Sequence, residues 1–322
     1  MAIVDEYEIG APPLELEPAA CCICGSTDGE SIGVGEDFEY HVSPDTFLAV
    51  RCPNCTLVYL DPRPTLGELA RIYPDDYHAF EFSAEQYGIV HTVRSRLEAR
   101  RVLKALGDLP AAARVIDIGC GDGFHLDLLR KYGPADWQLE GIDIDKRAVA
   151  AGSARDLTIH HGTVEGLDLP AASYDAALMI QTVEHVAHPP SVLAAARRLL
   201  KPGGRLMIVT DNTGSLDFRL AGRRYWGGYH FPRHWNLFNE RSIRLLAAKA
   251  GFDVASFETI VSPVNWTYSV RNALEDLHAP SWLVEQFSLS TPVTLGVFTA
   301  FDAVHTAFGR GALLRVVLRR PH

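Results

Sequence analysis

Residues 115–123, Val-Ile-Asp-Ile-Gly-Cys-Gly-Asp-Gly, constrain this chain more than any other stretch. Val115 to Ile118 form an apolar run suited to a buried parallel strand. Gly119, Gly121 and Gly123 follow at every second position, and Phe124-His125-Leu126-Asp127-Leu128-Leu129 opens a helix. Glycines between a strand and a helix let the backbone pass close to a ligand, and the helix N-terminus adds a positive dipole end. About twenty residues on, Gly141-Ile142-Asp143 ends a second strand in an acid placed to hold ribose hydroxyls. The spacing is not the Gly-x-Gly-x-x-Gly of nicotinamide sites, whose third glycine allows helix–strand packing beneath a diphosphate. Gly-x-Gly-x-Gly behind Asp117 suits a cofactor with a cationic centre and no phosphate.

From residue 113 strands and helices alternate, the pattern of a parallel sheet covered on both faces. The strands expected are Arg114–Ile118, Gln138–Asp143, Thr158–His161, Tyr174–Ile180, Arg205–Thr210, Phe252–Ile260 and Leu313–Leu318. Pro189–Leu200 reads as an Ala/Leu-rich helix stopped by Lys201-Pro202-Gly203-Gly204. With Asp117 ahead of its glycines and Asp143 at the next strand end, the chain resembles the class I S-adenosylmethionine (SAM)-dependent methyltransferases. That resemblance implies a Rossmann-like α/β fold with a seven-stranded sheet whose last strand is antiparallel. It also implies a SAM site built from Asp117, Gly119, Cys120 and Gly121, with Gly119 and Gly121 against the methionine part. Asp143 and its neighbour Ile144 fall at the ribose, Thr163, Val164 and Glu165 beside adenine, and Gln181 under the methyl donor.

Cys21-Cys22-Ile23-Cys24 and Cys52-Pro53-Asn54-Cys55 give two Cys-x-x-Cys turns. Each sets two thiolates on one tight turn, and two facing turns make a tetrahedral sulfur site for zinc. Cys21, Cys24, Cys52 and Cys55 are the expected ligands of a small N-terminal zinc ribbon, with Cys22 spare. The competing reading is two reduced pairs or disulfides, which a cytoplasmic setting disfavours. Four sulfur ligands leave no open position for water, so the expected role is structural. Tyr40, Val42, Phe47, Ala49 and Arg51 include the short alternating segments between the two turns.

The net charge of −10 is concentrated at one end. Residues 1–64 hold twelve acids against two bases, and the remainder balances at 28 of each. An acidic module repels phosphate backbones, so nucleic acid is not an expected partner. No cationic segment followed by an apolar core opens the sequence, and no long uninterrupted apolar run follows, so a cytoplasmic enzyme is the expectation. The organisation expected is a flexible acidic tail over 1–18, the ribbon over 19–64, a helical linker over 65–107 and a catalytic domain over 108–322. Within the linker, Thr65 caps a helix, Tyr73–Tyr77 turns, and a long helix runs from about Ser83 to Leu106.

Two insertions interrupt the alternation, at 212–238 and 262–311. The second carries Trp266, Tyr268, Trp282, Phe287, Phe298, Phe301 and Phe308. A long aromatic insertion is commonly a lid or binding wall. A cover for a hydrophobic substrate, an edge resting on a membrane, an oligomer interface and a satellite core all remain open.

The first insertion contains Tyr225-Trp226-Gly227-Gly228-Tyr229-His230-Phe231-Pro232-Arg233-His234-Trp235-Asn236-Leu237-Phe238. His234 is the expected general base, His230 the second candidate, and Tyr229 the residue that orients either. His185, after Glu184, is expected to be packed rather than catalytic. Arg224 and Arg233, with Trp226, are expected to meet the substrate, the arginines through a phosphate or carboxylate. Residues 233–238 resemble the Glu-His-Leu-x-x-Phe segment of zinc-containing nucleotide-sugar C-methyltransferases, whose histidine is a general base. Here Arg233 stands in place of the glutamate, and that family's large C-terminal domain has no counterpart. The function expected is methyl transfer from SAM to oxygen or carbon of a small saccharide, polyketide or prenyl-type metabolite. An RNA base methyltransferase with a zinc module and a non-catalytic SAM-binding partner protein are the rivals. The fourth strand lacks the Asn/Asp-Pro-Pro-Tyr motif that holds planar amines, which lowers an N-methylation reading.

Overall fold

A computed structural model describes residues 11–74, 77 and 84–322, with the backbone alone over 84–94. The expectations for residues 1–10, for Asp75 and Asp76 of the turn and for Ser83 lie outside the described residues. The N-terminal module comprises β1 (Leu16–Glu17), β2 (Glu30–Gly35), β3 (Phe47–Arg51), β4 (Val58–Leu60) and β5 (Arg63–Pro64). A single 3-10 turn and the short α1 (Leu69–Ile72) lead to the long α2 (Ala84–Leu106). Thr65 makes no side-chain capping bond.

Residues 11–18 differ from the loose tail expected. Leu14 is buried, its N–H donates to the Asp45 carboxylate at 2.7 Å, and β1 pairs antiparallel with β5. Three prolines do exclude a helix there, but two short paired strands satisfy the backbone instead. Tyr40 and Val42 likewise fall outside any strand. Asp37 accepts from the N–H groups of Tyr40 and Val42, and that acid-centred turn replaces a ladder.

From residue 114 the alternation runs β6 (Arg114–Ile118), α3 (Phe124–Tyr132), β7 (Gln138–Asp143), α4 (Lys146–Ser153), β8 (Thr158–His161), β9 (Tyr174–Ile180), α5 (Pro189–Leu199) and β10 (Leu200–Asp211). It continues through α6 (Leu216–Ala221), β11 (Asn236–Leu237), α7 (Glu240–Lys249), β12 (Asp253–Ile260), α8 (Val264–Asp276), α9 (Ser281–Val284), α10 (Pro292–Thr306) and β13 (Leu313–Arg319). The main sheet has seven strands in the order β12-β13-β10-β9-β6-β7-β8, with β13 antiparallel to both its neighbours. The seven-stranded mixed sheet with an antiparallel last strand is therefore present as the resemblance implied. Its central strand β9 is buried over Tyr174–Met179, as a strand covered on both faces must be.

One boundary moved. Leu200 leaves the helix in extended conformation and pairs with Tyr174, so β10 begins five residues early. Lys201-Pro202-Gly203-Gly204 then forms an irregularity inside the strand, where the register against β9 shifts between Leu200 and Arg205. Gly203 at φ +79° supplies the left-handed residue that such a bulge needs.

The N-terminal module is continuous with the rest of the molecule. β11, only two residues after His234, adds to its sheet in the order β11-β4-β3-β2. Asn239, the N-cap of α7, exchanges bonds with Thr56 beside the second cysteine turn. Cys21, Cys52, Cys55, Leu57 and Tyr59 share one apolar core with Phe238, Ile243 and Leu246. Among the described residues no helix is long and apolar enough to cross a membrane.

Candidate active site

The carboxyl ends of β6 to β10 meet at one edge, where open α/β sheets bind ligands. Gly119 has φ +74° and Gly121 φ +55°. A Cβ on Gly119 would lie 2.3 Å from Thr182 Cγ2, so the close approach of the two loops demands glycine. Asp143 Oδ2 accepts from the Gly121 N–H at 2.8 Å, and its Oδ1 accepts from the Asp145 N–H at 2.8 Å. This ties the glycine loop to the end of β7. Ile144 beside it is exposed, as are Thr163, Glu165 and Gln181, whereas Val164 and Cys120 are buried. Beneath the loop, Asp117 is buried and its Oδ2 has no partner. Burial, then the charge of Asp143, pushes the Asp117 carboxyl up to about 7. An orphaned buried carboxylate beside a glycine cradle fits a cofactor that brings a cation. Asp117, Gly119, Gly121 and Asp143 are the residues that would hold SAM.

A second cluster lies beyond β9 and β10. The carbonyl of Glu184 accepts from the N–H groups of Trp235 and Asn236 at 2.8 and 3.0 Å. That pairing brings His185 and His234 together, edge to face with ring centroids 4.5 Å apart, and the His230 ring lies 4.9 Å from that of His234. His234 is buried and its Nδ1 contacts the Gly228 carbonyl at 2.8 Å. A carbonyl only accepts, so Nδ1 carries the proton and Nε2 is left as a lone-pair acceptor. Burial, then the neighbouring His185 and His230, holds His234 well below the usual histidine range. Burial likewise lowers His185 to about 3. Both rings are neutral at physiological pH.

Acids back this cluster. Asp211 Oδ2 lies 3.5 Å from His234 Nδ1, and Asp211 also accepts from Asn265 Nδ2 at 2.7 Å. Glu184 is fully buried, accepts from the Thr210 hydroxyl at 2.8 Å and leaves Oε1 unpartnered. Burial raises both carboxyls, Glu184 further under the charge of Asp211. One ligand atom each from Glu184, His185 and His234 falls within 4.8 Å of the others. The N-terminal half supplies the remaining walls. Tyr73 OH meets His185 Nδ1 at 2.9 Å, Tyr77 OH meets His230 Nε2 at 3.4 Å, and Glu39 Oε1 meets His230 Nδ1 at 2.7 Å.

The sulfurs of Cys21, Cys24, Cys52 and Cys55 lie within 4.8 Å of one another. Cys21 and Cys55 are 3.2 Å apart and Cys24 and Cys52 3.4 Å. Left-handed Gly25 and Thr56 close the two turns. Four convergent sulfurs with no other donor fit zinc.

A family model described as a methyltransferase domain matches residues 89–256, just over half of the chain. The chain belongs to the methyltransferase-domain family. Two ubiquinone biosynthesis O-methyltransferases of Cereibacter sphaeroides strains are similar to this methyltransferase. One is 31% identical over 170 residues, covering 49% of this chain and 67% of the relative. The other is 33% identical over 172 residues, covering 49% and 68%. A SAM complex of phosphoethanolamine N-methyltransferase 2 from Haemonchus contortus shares the fold, with a TM-score of 0.51 at 17% identity, covering 91% of this chain and 69% of that one. A methyltransferase domain supports SAM as the cofactor of this chain.

Several residues expected at the methyltransferase's substrate face have other duties. Tyr229 is buried, stacks on Phe231 and gives its hydroxyl to the Gly222 carbonyl, so it orients no histidine. Trp226 is buried with its indole N–H on Asp217 at 2.7 Å. Arg233 is fully buried and grips both oxygens of Asp37 at 3.0 Å. Arg224 pairs with Asp276 and Glu36. Neither arginine is left for a phosphate: Asp37 of the acidic module neutralises Arg233, and Asp276 of α8 together with Glu36 neutralises Arg224. The residues that reasoning from sequence missed are Glu39, Tyr73, Tyr77 and Asp211, and His185, expected to be packed, packs edge-on against His234. The N-terminal trio carries no local signal, since its approach to His230 and His185 spans more than a hundred residues of chain. Asp211 did have one, as an acid at the carboxyl end of a central strand.

Replacing Asp143 by alanine removes the acceptor for the Gly121 and Asp145 N–H groups and the expected ribose ligand. Calorimetric SAM affinity is expected to fall at least tenfold, in line with about 1.5–3 kcal/mol for charge-assisted bonds. Unchanged affinity would remove Asp143 from the cofactor site.

Proposed function

We propose that this enzyme methylates a hydroxyl oxygen of a small, uncharged acceptor, with His234 as general base. The observation that carries the reading is the His234 tautomer: Nδ1 is bound to the Gly228 carbonyl, and Nε2 is a neutral acceptor inside an aromatic cluster. SAM supplies a sulfonium methyl group open to in-line displacement. The protein holds the acceptor oxygen in line, keeps water out and takes the hydroxyl proton on Nε2 as the new C–O bond forms. A proton arriving there makes the ring an imidazolium, and the Asp211 carboxyl oxygen 3.5 Å from Nδ1 stabilises that charge.

Pairing of Arg224 and Arg233 with acids favours an acceptor without phosphate, against a nucleotide-bound sugar. The O-methyltransferases among the relatives support oxygen over carbon and a prenylated phenol as the acceptor class. We further infer a structural zinc on Cys21, Cys24, Cys52 and Cys55, an N-terminal ribbon over 19–64, a linker over 65–107 and the transferase over 108–322. The acidic first 64 residues speak against a nucleic-acid substrate. The test is incubation with methyl-labelled SAM and three acceptors: a prenylated catechol, a nucleotide-linked ketosugar and ribosomal RNA. Label recovered as an aryl methyl ether supports the proposal. Label on a sugar carbon or an RNA base overturns it.

A further inference from the structure

The helix α10 is built the wrong way round for a helix on a protein surface. Its one charged residue, Asp302, is fully buried, accepting from Trp266 Nε1 at 3.0 Å and from the Ser262 N–H at 2.9 Å. Phe298 stacks on Trp266 on the same inner side. These contacts fix the helix rotation, so the opposite side cannot roll inward. That outer side carries Val293, Val297 and Val304, each between 57% and 77% exposed, flanked by Phe308 just past the helix end and by Phe301, which is 44% exposed and lies edge-on to Trp266 at 5.0 Å. No lysine, arginine or carboxylate interrupts it. Along its edge run Gly296, Ala300, Ala303 and Ala307, all exposed and spaced four, three and four residues apart. On a 3.6-residue helix that spacing is a straight seam. Nothing lies within 4 Å of a Cβ built on Gly296.

We infer that α10 is the self-association surface of this enzyme, pairing with α10 of a second copy. Two observations select that occupant. The five large side chains and their small neighbours expose on the order of 600 Å² of apolar surface per subunit, which approaches the ~800 Å² a side of a standard interface. Between Arg271 and Arg310 the chain has no lysine or arginine but four acids, Glu275, Asp276, Glu285 and Asp302. An anionic lipid surface would find no cation there, whereas an identical uncharged face suits an isologous contact. The seam of small residues lets two helix backbones come close, with the valines and phenylalanines closing over each other beside it.

The inference is independent of the acceptor and of the base. Its test is sedimentation equilibrium of the full chain at about micromolar concentration, where a stable dimer is populated. The wild type is expected at twice the 35.4 kDa chain mass. Val297→Glu and Val304→Glu are each expected to halve that mass while keeping the wild-type thermal transition. Both positions point into open solvent within one subunit, so neither substitution strains the fold. A monomeric wild type overturns the inference, as do variants that retain the wild-type mass. A monomer that instead co-sediments with uncharged phosphatidylcholine vesicles overturns it in favour of a membrane contact.

Discussion

Turnover in His234→Ala is expected to fall by about 10²–10⁴-fold, the usual worth of a positioned base, while SAM affinity stays nearly unchanged. The separation follows from geometry. His234 bonds to Gly228 and packs against His185 and His230, and none of its bonds reaches the glycine loop of the cofactor. Calorimetry with SAM and single-turnover kinetics on the same preparations read the two quantities. The pH profile provides a third. Because burial lowers the His234 pKa, its neutral, active form persists as pH falls through the ordinary histidine value near 6.5. The acid limb of kcat/KM is therefore expected well below that value. Activity within a few fold of wild type in the variant, or an acid limb at an ordinary histidine pKa, would end the assignment.

A second large effect is expected from Cys52→Ser. Structural zinc contributes apparent binding of about 10–16 kcal/mol, comparable to the whole stability of a domain. Cys52 is buried in the core shared with Phe238, Ile243 and Leu246, so loss of the site should reach beyond the module. β4 pairs with β11, two residues past His234, and Glu39 and Asp37 hold His230 and Arg233. Loosening the module thus releases the loop of His230 and His234 as well. Bound zinc near one per chain in the wild type is expected by elemental analysis. Its loss in the variant should bring a lower melting temperature and lost transfer activity. Cys22→Ser serves as the control, since Cys22 lies outside the sulfur cluster. A variant with wild-type melting and activity would show that no metal holds the module.

The legible parts of this protein were those whose signal is local. The strand Val115–Ile118, the glycines behind it and Asp143 at the next strand end sit within thirty residues, and each was placed correctly on the sheet edge. The two cysteine turns are equally local, and their convergence needs only one hairpin between them. Failures cluster where a residue's duty depends on a distant partner. Arg233 and Arg224 read as substrate ligands because sequence shows charge but not the acid that cancels it. Tyr229 read as an orienting group because its loop is rich in histidine, yet its hydroxyl had a nearer acceptor in Gly222. The tail over 11–18 read as loose because prolines forbid a helix without forbidding a paired strand.

By itself, then, the sequence determined the seven-stranded sheet, the glycine turn behind its first strand and the sulfur cluster, since hydrophobic period, backbone freedom at glycine and donor spacing act within one or two elements. Only the tertiary structure decided which histidine keeps a free nitrogen, which arginines are neutralised and that the N-terminal module walls the histidine cluster. Those outcomes are set by burial and by pairings across 112 to 196 residues, from Tyr73 with His185 to Asp37 with Arg233. Desolvation and partner choice exist only once the chain has closed on itself.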